Sequence, residues 1–187
     1  MLESILKLDR ELFIFLNSLH SPYLDDVMLF VSNSMVPIIF ILTLFLVYGF
    51  IKFKNKIFLI FIFLAITFGL SDSISSRIFK PATKRLRPCH EKSIESYRAS
   101  NGCGGKYSFV SSHASNSFAV LTFIWLIFGK FNKGFLLVFP YAALTAYSRI
   151  YLARHYFLDI FFGAILGILI ALSIYKLMKA KTNLLKY

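Results

Sequence analysis

Between Val27 and Ile51 the chain runs for 25 residues without a charged side chain, interrupted only by Ser32, Asn33, Ser34 and Pro37. About 20 apolar helical residues cross the hydrocarbon core of a bilayer, so a run of this length is expected to span it. Four more stretches share the character. Ile57 to Leu70 is apolar and continues in helical pattern through Ser71 and Asp72 toward Lys80. Tyr107 to Gly129 contains no Asp, Glu, Lys or Arg, and Gly134 to Leu152 contains only Arg149. The 20 residues from Tyr156 to Tyr175 carry one charge, Asp159. None of these runs shows the apolar–polar alternation of a membrane β-barrel. Aromatic residues make up 18% of the chain, which excludes disorder. A soluble domain of this size could not hide a composition that is 57% apolar. The expected fold is all-α: one polytopic membrane helix bundle over residues 1–187, with five to six transmembrane helices.

The first 22 residues differ. Glu3, Lys7, Asp9, Arg10 and Glu11 alternate with Leu, Ile and Phe, the pattern of an amphipathic helix lying in the membrane interface. The segment lacks the basic start, clean apolar run and small-residue cleavage site of a signal peptide. A short sixth span through Phe13 to Leu19 is the less favoured alternative.

The net charge of +12 has two parts. Lys52, Lys54 and Lys56 follow the first span, Lys130 and Lys133 lie between the third and fourth, and Lys176, Lys179, Lys181 and Lys186 form the tail. On a five-helix path all three regions fall on one side, which the positive-inside rule makes cytoplasmic. The loop from 80 to 106 is then extracytoplasmic. It breaks the rule: Arg77, Lys80, Lys84, Arg85, Arg87, Lys92, Arg98 and Lys106 face only Glu91 and Glu95. An inverted topology would remove the conflict, but the tail and both short loops speak against it. Charges split across two membrane faces do not suit nucleic acid.

Ionisable residues inside membrane helices are costly and usually functional. Asp72, Arg77, His113, Arg149 and Asp159, with His155 beside them, all fall at the outer ends of their helices on this path. Their charge is mostly positive, so an anionic ligand is expected. A phosphoryl group suits them: Arg offers a planar fork and Lys a point charge, and Ser111 sits where helix-start N–H groups favour anions. Mg²⁺ sites want carboxylates, and too few are present, so no metal and no cofactor are expected. His155 and Asp159, four apart, share one helix face, so Asp159 can orient one imidazole nitrogen and leave the other free to attack. His113, on another helix, can serve as general acid.

Three segments carry a resemblance: Lys80, six residues, Arg87-Pro88; Val110-Ser111-Ser112-His113; and Ser148-Arg149, five residues, His155, three residues, Asp159. They resemble the three-part signature of the type 2 phosphatidic acid phosphatase (PAP2) family. The first and third match fully. The second departs twice, with Val110 for Pro and Ser112 for Gly. The resemblance implies that His155 attacks phosphorus to give a phosphohistidine, that His113 protonates the leaving alcohol, and that Lys80, Arg87, Ser111, Ser112 and Arg149 bind the phosphate. It implies a membrane lipid phosphate or diphosphate as substrate, with the site facing the periplasm from a bacterial cytoplasmic membrane. Lipid A-type phosphates and undecaprenyl diphosphate are the expected substrates, since Lys84, Arg85, Lys92 and Arg98 suit a polyanionic headgroup. Phosphatidylglycerol phosphate and phosphatidic acid are the alternatives, as are a lipid phosphotransferase and a non-enzymatic anion or lipid transporter. No obligate protein partner is evident.

Outside the signature, Lys84, Arg85 and Arg154 are candidate headgroup contacts or simply solvated. His90 and His20 read as surface and interfacial residues. Asp72 is expected to pair with Arg77 or help align the site. Cys89 and Cys103, both in the outer loop, are a candidate disulfide. Asn101 to Gly105 reads as a turn into the third span. Gly163 and Gly167 have the GxxxG spacing of close helix packing.

Overall fold

The computed structural model describes residues 1–33, 36–94, 96 and 102–182. Ser34, Glu95, Arg98, Asn101 and Lys186, used above, lie outside them. The N-terminal helix α1 (Leu2–Ser18) is amphipathic in two rows. Lys7 and Glu11 lie one turn apart on an exposed row and pair at 3.9 Å. Asp9, Phe13 and Asn17 form a buried row that docks on the rest of the protein. Leu2, Ile5, Leu8, Phe15 and Leu19 remain exposed.

The long charge-free run is helical where it is described, on both sides of residues 34 and 35. α2 (Pro22–Asn33) precedes them and α3 (Val36–Phe53) follows. α2 lies against α7 (Val138–Tyr151). Tyr151 fixes the contact: its hydroxyl lies 2.6 Å from Asp25 Oδ1 and 2.9 Å from the Ser21 carbonyl, and accepts from Ser21 N at 3.0 Å. Asn17 of α1 donates to the carbonyls of Ile150 and Tyr151 at 3.1 and 2.9 Å.

α4 (Ile57–Ser73) continues toward Lys80 as the sequence predicts, through a π-helical stretch, Ile74–Phe79, into a last turn α5 (Lys80–Thr83). Pro81 cannot donate the next α-helical hydrogen bond. The helix stops at Lys84, whose left-handed φ of 49° turns the chain back. α6 (Ser112–Phe128) begins later than the apolar run, because Tyr107 bridges in extended form to Leu86 and Ser111 caps the helix. At 14 residues α7 is about 21 Å long, and a 3₁₀ segment, Lys133–Leu137, precedes it. α8 (Phe157–Lys181) is the longest single α-helix.

α6 is central, packed by α4, α7 and α8. The GxxxG pair sets the closest of these contacts. A Cβ on Gly163 would lie 2.8 Å from the Ser111 carbonyl, and one on Gly167 would lie 2.8 Å from the Ala119 amide and closer still to the Ser115 carbonyl. Only glycine lets the two backbones approach this far. That approach sets the first turn of α8 beside the first turn of α6. The opposite end is aromatic. Phe128 meets Phe45 edge-on at 5.0 Å and Phe53 at 5.5 Å, and stacks on Phe135 at 5.2 Å. Lys52 and Lys130 lie over the Phe131 ring at this end, which places two of the basic loops together. Ile39, Phe40, Val47, Phe58, Ile62 and Leu169 present an apolar outer surface, as a membrane bundle requires.

Candidate active site

The ends of α4, α6, α7 and α8 that lie away from the aromatic end converge with the 84–90 segment on one polar centre. His155 lies in the turn between α7 and α8, 1% exposed, with its amide on the Arg149 carbonyl at 3.2 Å. Its Nδ1 stands 3.5 Å from Asp159 Oδ2. That is longer than a closed hydrogen bond, as such pairs often are before substrate binds. The Asp159 carboxylate is held firmly. Oδ2 accepts from the Tyr156 amide at 2.9 Å, a capping-box bond at the start of α8, and its backbone carbonyl accepts from Ser111 N at 2.9 Å. Burial first, then the charges of Arg149, Arg87 and Lys80, hold the His155 imidazole well below the usual histidine range. It is therefore neutral near pH 7, the form that can attack phosphorus.

Lys80, Arg87 and Arg149 lie near enough to one another and to His155 for their charges to interact. Among the described residues none of the three has an ion pair. Arg149 is 2% exposed; Nη1 donates to Ser32 Oγ of α2, and Nε is buried without a partner. Arg87 spends its donors on backbone, Nη1 on the Cys103 carbonyl at 2.8 Å and Nε on the Tyr107 carbonyl at 3.2 Å. Asp72 and Asp159 act on Lys80, and Asp159 on Arg87, from beyond ion-pair distance, and three clustered cations with no direct carboxylate partner among the described residues favour an anion that joins them.

Ser111 caps α6, its Oγ accepting from Ala114 N at 3.5 Å, and Ser112 Oγ accepts from Ser75 Oγ of the π-helical stretch at 2.9 Å. His113 follows, exposed, with Arg149, His155, Arg154 and Lys80 near enough for their charges to act on it. Asn116 donates to Asp72 at 3.0 Å, and Ser71 bonds Ser115 at 2.6 Å, so α4 and α6 are joined by polar contacts on the site side. The expected pairing of Asp72 with Arg77 does not form: Asp72 serves Asn116, and Arg77 is exposed.

Arg85 departs from its reading as a headgroup contact. Its guanidinium lies between two buried carboxylates, 2.9 Å from Asp159 Oδ1 and 2.6 Å from Asp9 Oδ2, and sits 4.0 Å over the Tyr156 ring. Two acids satisfy this arginine, which removes it from the cations left for a ligand. Lys84 and His90 are exposed. Arg154 is half-buried, donating to the Gly102 carbonyl at 3.1 Å and to Asn33 Oδ1 at 3.2 Å. His20 is exposed and lies 3.2 Å from the Asn17 carbonyl.

Cys89 and Cys103 are joined as a disulfide, with Cα atoms 6.0 Å apart. It adjoins the site: Cys89 N donates to the Ala153 carbonyl at 3.1 Å, and Cys103 holds Arg87. Cys89, His90 and Cys103 are near enough to share a metal ion, but the two sulfurs are committed to each other.

Sequence reasoning missed Asp9 and Ser32. Asp9 was grouped with the charged face of α1, yet its i+4 and i+8 neighbours, Phe13 and Asn17, are the docked row, and that spacing was the available signal. Ser32 carried none.

The PAP2 superfamily model matches residues 61–183. The lipid A 4'-phosphatase of Porphyromonas gingivalis is 34% identical over 185 residues, covering 94% of this chain and 75% of that protein. The lipid A 4'-phosphatase of Bacteroides thetaiotaomicron is 31% identical over 172 residues, covering 89% and 75%. Among solved structures, the transmembrane PAP2 type phosphatidylglycerolphosphate phosphatase of Bacillus subtilis superposes with a TM-score of 0.71 at 17% identity, covering 96% of this chain and 88% of that one. Aquifex aeolicus LpxE superposes with a TM-score of 0.63 at 24% identity, covering 89% and 93%. At these identities the superpositions speak for the fold. The three motif segments, the family match and the two curated relatives agree: the chain belongs to the PAP2 superfamily, as a membrane lipid phosphatase of the PAP2 type.

Proposed function

We propose that the protein hydrolyses a phosphate monoester on a lipid A-type headgroup at the outer face of a bacterial cytoplasmic membrane, through a phosphohistidine on His155. The observation that carries the reading is the cluster of Lys80, Arg87 and Arg149, which form no ion pair among the described residues, beside the buried His155. The N–H groups of the first turn of α6, with Ser111 and Ser112, add donors of the kind that bind phosphate at helix starts. The lipid A assignment rests on the two curated relatives, both named lipid A 4'-phosphatase. The outward orientation rests on the basic loops gathered at the opposite, aromatic end.

In the first step His155 Nε2 attacks phosphorus. The N–P bond forms as the P–O bond to the sugar breaks, and the leaving oxygen takes a proton from His113. The Nδ1 proton stays on the ring and faces Asp159, whose carboxylate offsets the positive charge that phosphorylation places there. Lys80, Arg87 and Arg149 bind the three phosphoryl oxygens and stabilise the charge they carry in the transition state. In the second step water, giving its proton to His113, breaks the N–P bond and releases inorganic phosphate. The cations supply what a metal ion supplies elsewhere.

The test is phosphate release by the purified protein in detergent with EDTA present. The substrates are lipid A, undecaprenyl diphosphate, phosphatidylglycerol phosphate and phosphatidic acid. Metal-independent release with the highest kcat/KM on lipid A is expected. Highest activity on another of the four would move the substrate assignment, and release that needs an acceptor alcohol would make the protein a phosphotransferase.

A further inference from the structure

The group behind the nucleophile is larger than the His155–Asp159 pair. Asp159 Oδ1 meets Arg85 Nη1 at 2.9 Å, and Arg85 Nη2 meets Asp9 Oδ2 at 2.6 Å. Asp9 Oδ1 then accepts from Leu158 N, in the first turn of α8, at 2.9 Å. The two carboxylates are 1% and 0% exposed, and the guanidinium between them is 20% exposed. Asp9 comes from a helix some 150 residues away in sequence and makes no contact with the ligand-facing cations.

The charges explain what it does. Arg85 alone beside Asp159 would neutralise it, leaving no net negative charge to balance a phosphorylated, positively charged imidazole. With Asp9 included, two carboxylates and one guanidinium carry a net charge of −1, in a site where low dielectric makes one charge count heavily. Arg85 meanwhile fixes the rotamer of Asp159, and the α8 amide and Tyr156 ring fix Asp9 and Arg85 in turn.

We infer that Asp9, carried into the site by the N-terminal helix, is a positioning residue that acts through Arg85 to keep the acid behind His155 aligned and net negative. The inference rests on the phosphohistidine reading above. It makes α1 part of the active site as well as an element of the membrane surface.

The experiment measures kcat and KM for lipid A phosphate release by wild type, D9N, D9E and D9N/R85Q, with R10A as control. Arg10 docks the same helix, donating to the Ser93 carbonyl at 2.6 Å, but does not touch the relay. D9N is expected to lower kcat about tenfold or more with KM within about twofold, because the ligand-facing cations are untouched. D9E is expected to recover most of the loss, and R10A to keep wild-type kcat. The double variant D9N/R85Q, which again leaves Asp159 as a net −1, is expected to exceed D9N in kcat. A merely structural loss would instead add the second lesion to the first. Wild-type kcat in D9N, a loss confined to KM, or a double variant slower than D9N would each overturn the inference. If D9N does not fold, D9E and D9N/R85Q, which both keep the group at a net −1, are each expected to retain most of the wild-type kcat, and a loss of about tenfold in both would overturn the inference. A wild-type protein that releases no phosphate from any lipid would break the function reading instead, and the two failures are distinguishable.

Discussion

The two ends of the bundle are held together by different physics. At the lysine-rich end, α3, α6 and the 133–137 turn meet through rings, Phe128 against Phe45, Phe53 and Phe135. At the other end the same helices and their neighbours meet through hydrogen bonds and ion pairs: Ser71–Ser115, Asn116–Asp72, Ser75–Ser112 and Arg85 with its two acids. The aromatic end needs volume and tolerates changes that conserve it. The polar end needs partners, and removing one side of a buried pair leaves the other uncompensated. On the proposed function, activity resides at the polar end, where the buried pairs are, and none at the aromatic end, although apolar packing also reaches the polar end, where Phe13 meets Tyr156 at 5.4 Å.

That division can be broken by crossing activity with stability. The largest effect is expected at the nucleophile. His155→Ala should lower kcat by about 10³-fold or more while leaving thermal unfolding in detergent close to wild type. Next come the unpaired cations. Arg87→Ala or Arg149→Ala should each lower kcat/KM by about 10²–10³-fold. Arg149→Ala should also leave stability unchanged or raise it slightly, because it removes a buried charge that lacks a carboxylate. A large stability loss in that variant would mean the cation is structural. Phe128→Ala should show the reverse pattern. It should cost about 3–5 kcal/mol of stability with kcat per folded molecule unchanged, and a loss of kcat at constant fold would show that the two ends are coupled.

Removal of the disulfide, by Cys89→Ser with Cys103→Ser, should act mainly on KM, by about tenfold, because Cys103 presents the carbonyl that holds Arg87. The smallest effect concerns pH. The folded protein keeps His155 neutral, with its pKa depressed, while the unfolded chain titrates it near the usual value of about 6.5. Unfolded molecules therefore take up the proton first, and stability falls as pH drops below that value. The slope attributable to this residue is at most about 1.4 kcal/mol per pH unit. Comparing wild type with His155→Asn between pH 8 and pH 5 measures it. A wild-type protein that gains stability relative to the variant on acidification would contradict a neutral, buried nucleophile.

What was legible in the sequence follows the same physical lines. The motif residues Lys80, Arg87, Ser111, His113, Arg149, His155 and Asp159 could be found because each segment reaches the site over a short span of chain, at fixed spacing from a helix end. The apolar helices were legible as charge-free runs, and among the described residues two helices, Val36–Thr83 and Phe157–Lys181, are long and apolar enough to cross a membrane. The boundaries were less legible: the cap at Ser111 delays the start of the third helix. Gly163 and Gly167 signalled close packing correctly, though not that α6 was the partner. Arg85 was misassigned because its two acids lie 76 residues before it and 74 after it, a distance no local pattern records. Asp9 and Ser32 reach the site only through docking of α1 and α2, and a charged residue on an amphipathic helix looks solvated until something covers it.

The most direct test of the central claim is to trap the covalent intermediate. Purified protein is mixed with lipid A carrying ³²P in its phosphate, quenched in alkali within milliseconds, and digested for peptide mapping. The account requires label on the peptide containing His155, stable in alkali and lost in acid, and absent from His155→Ala. Label on Ser111 or on no residue, while phosphate release continues, would contradict it.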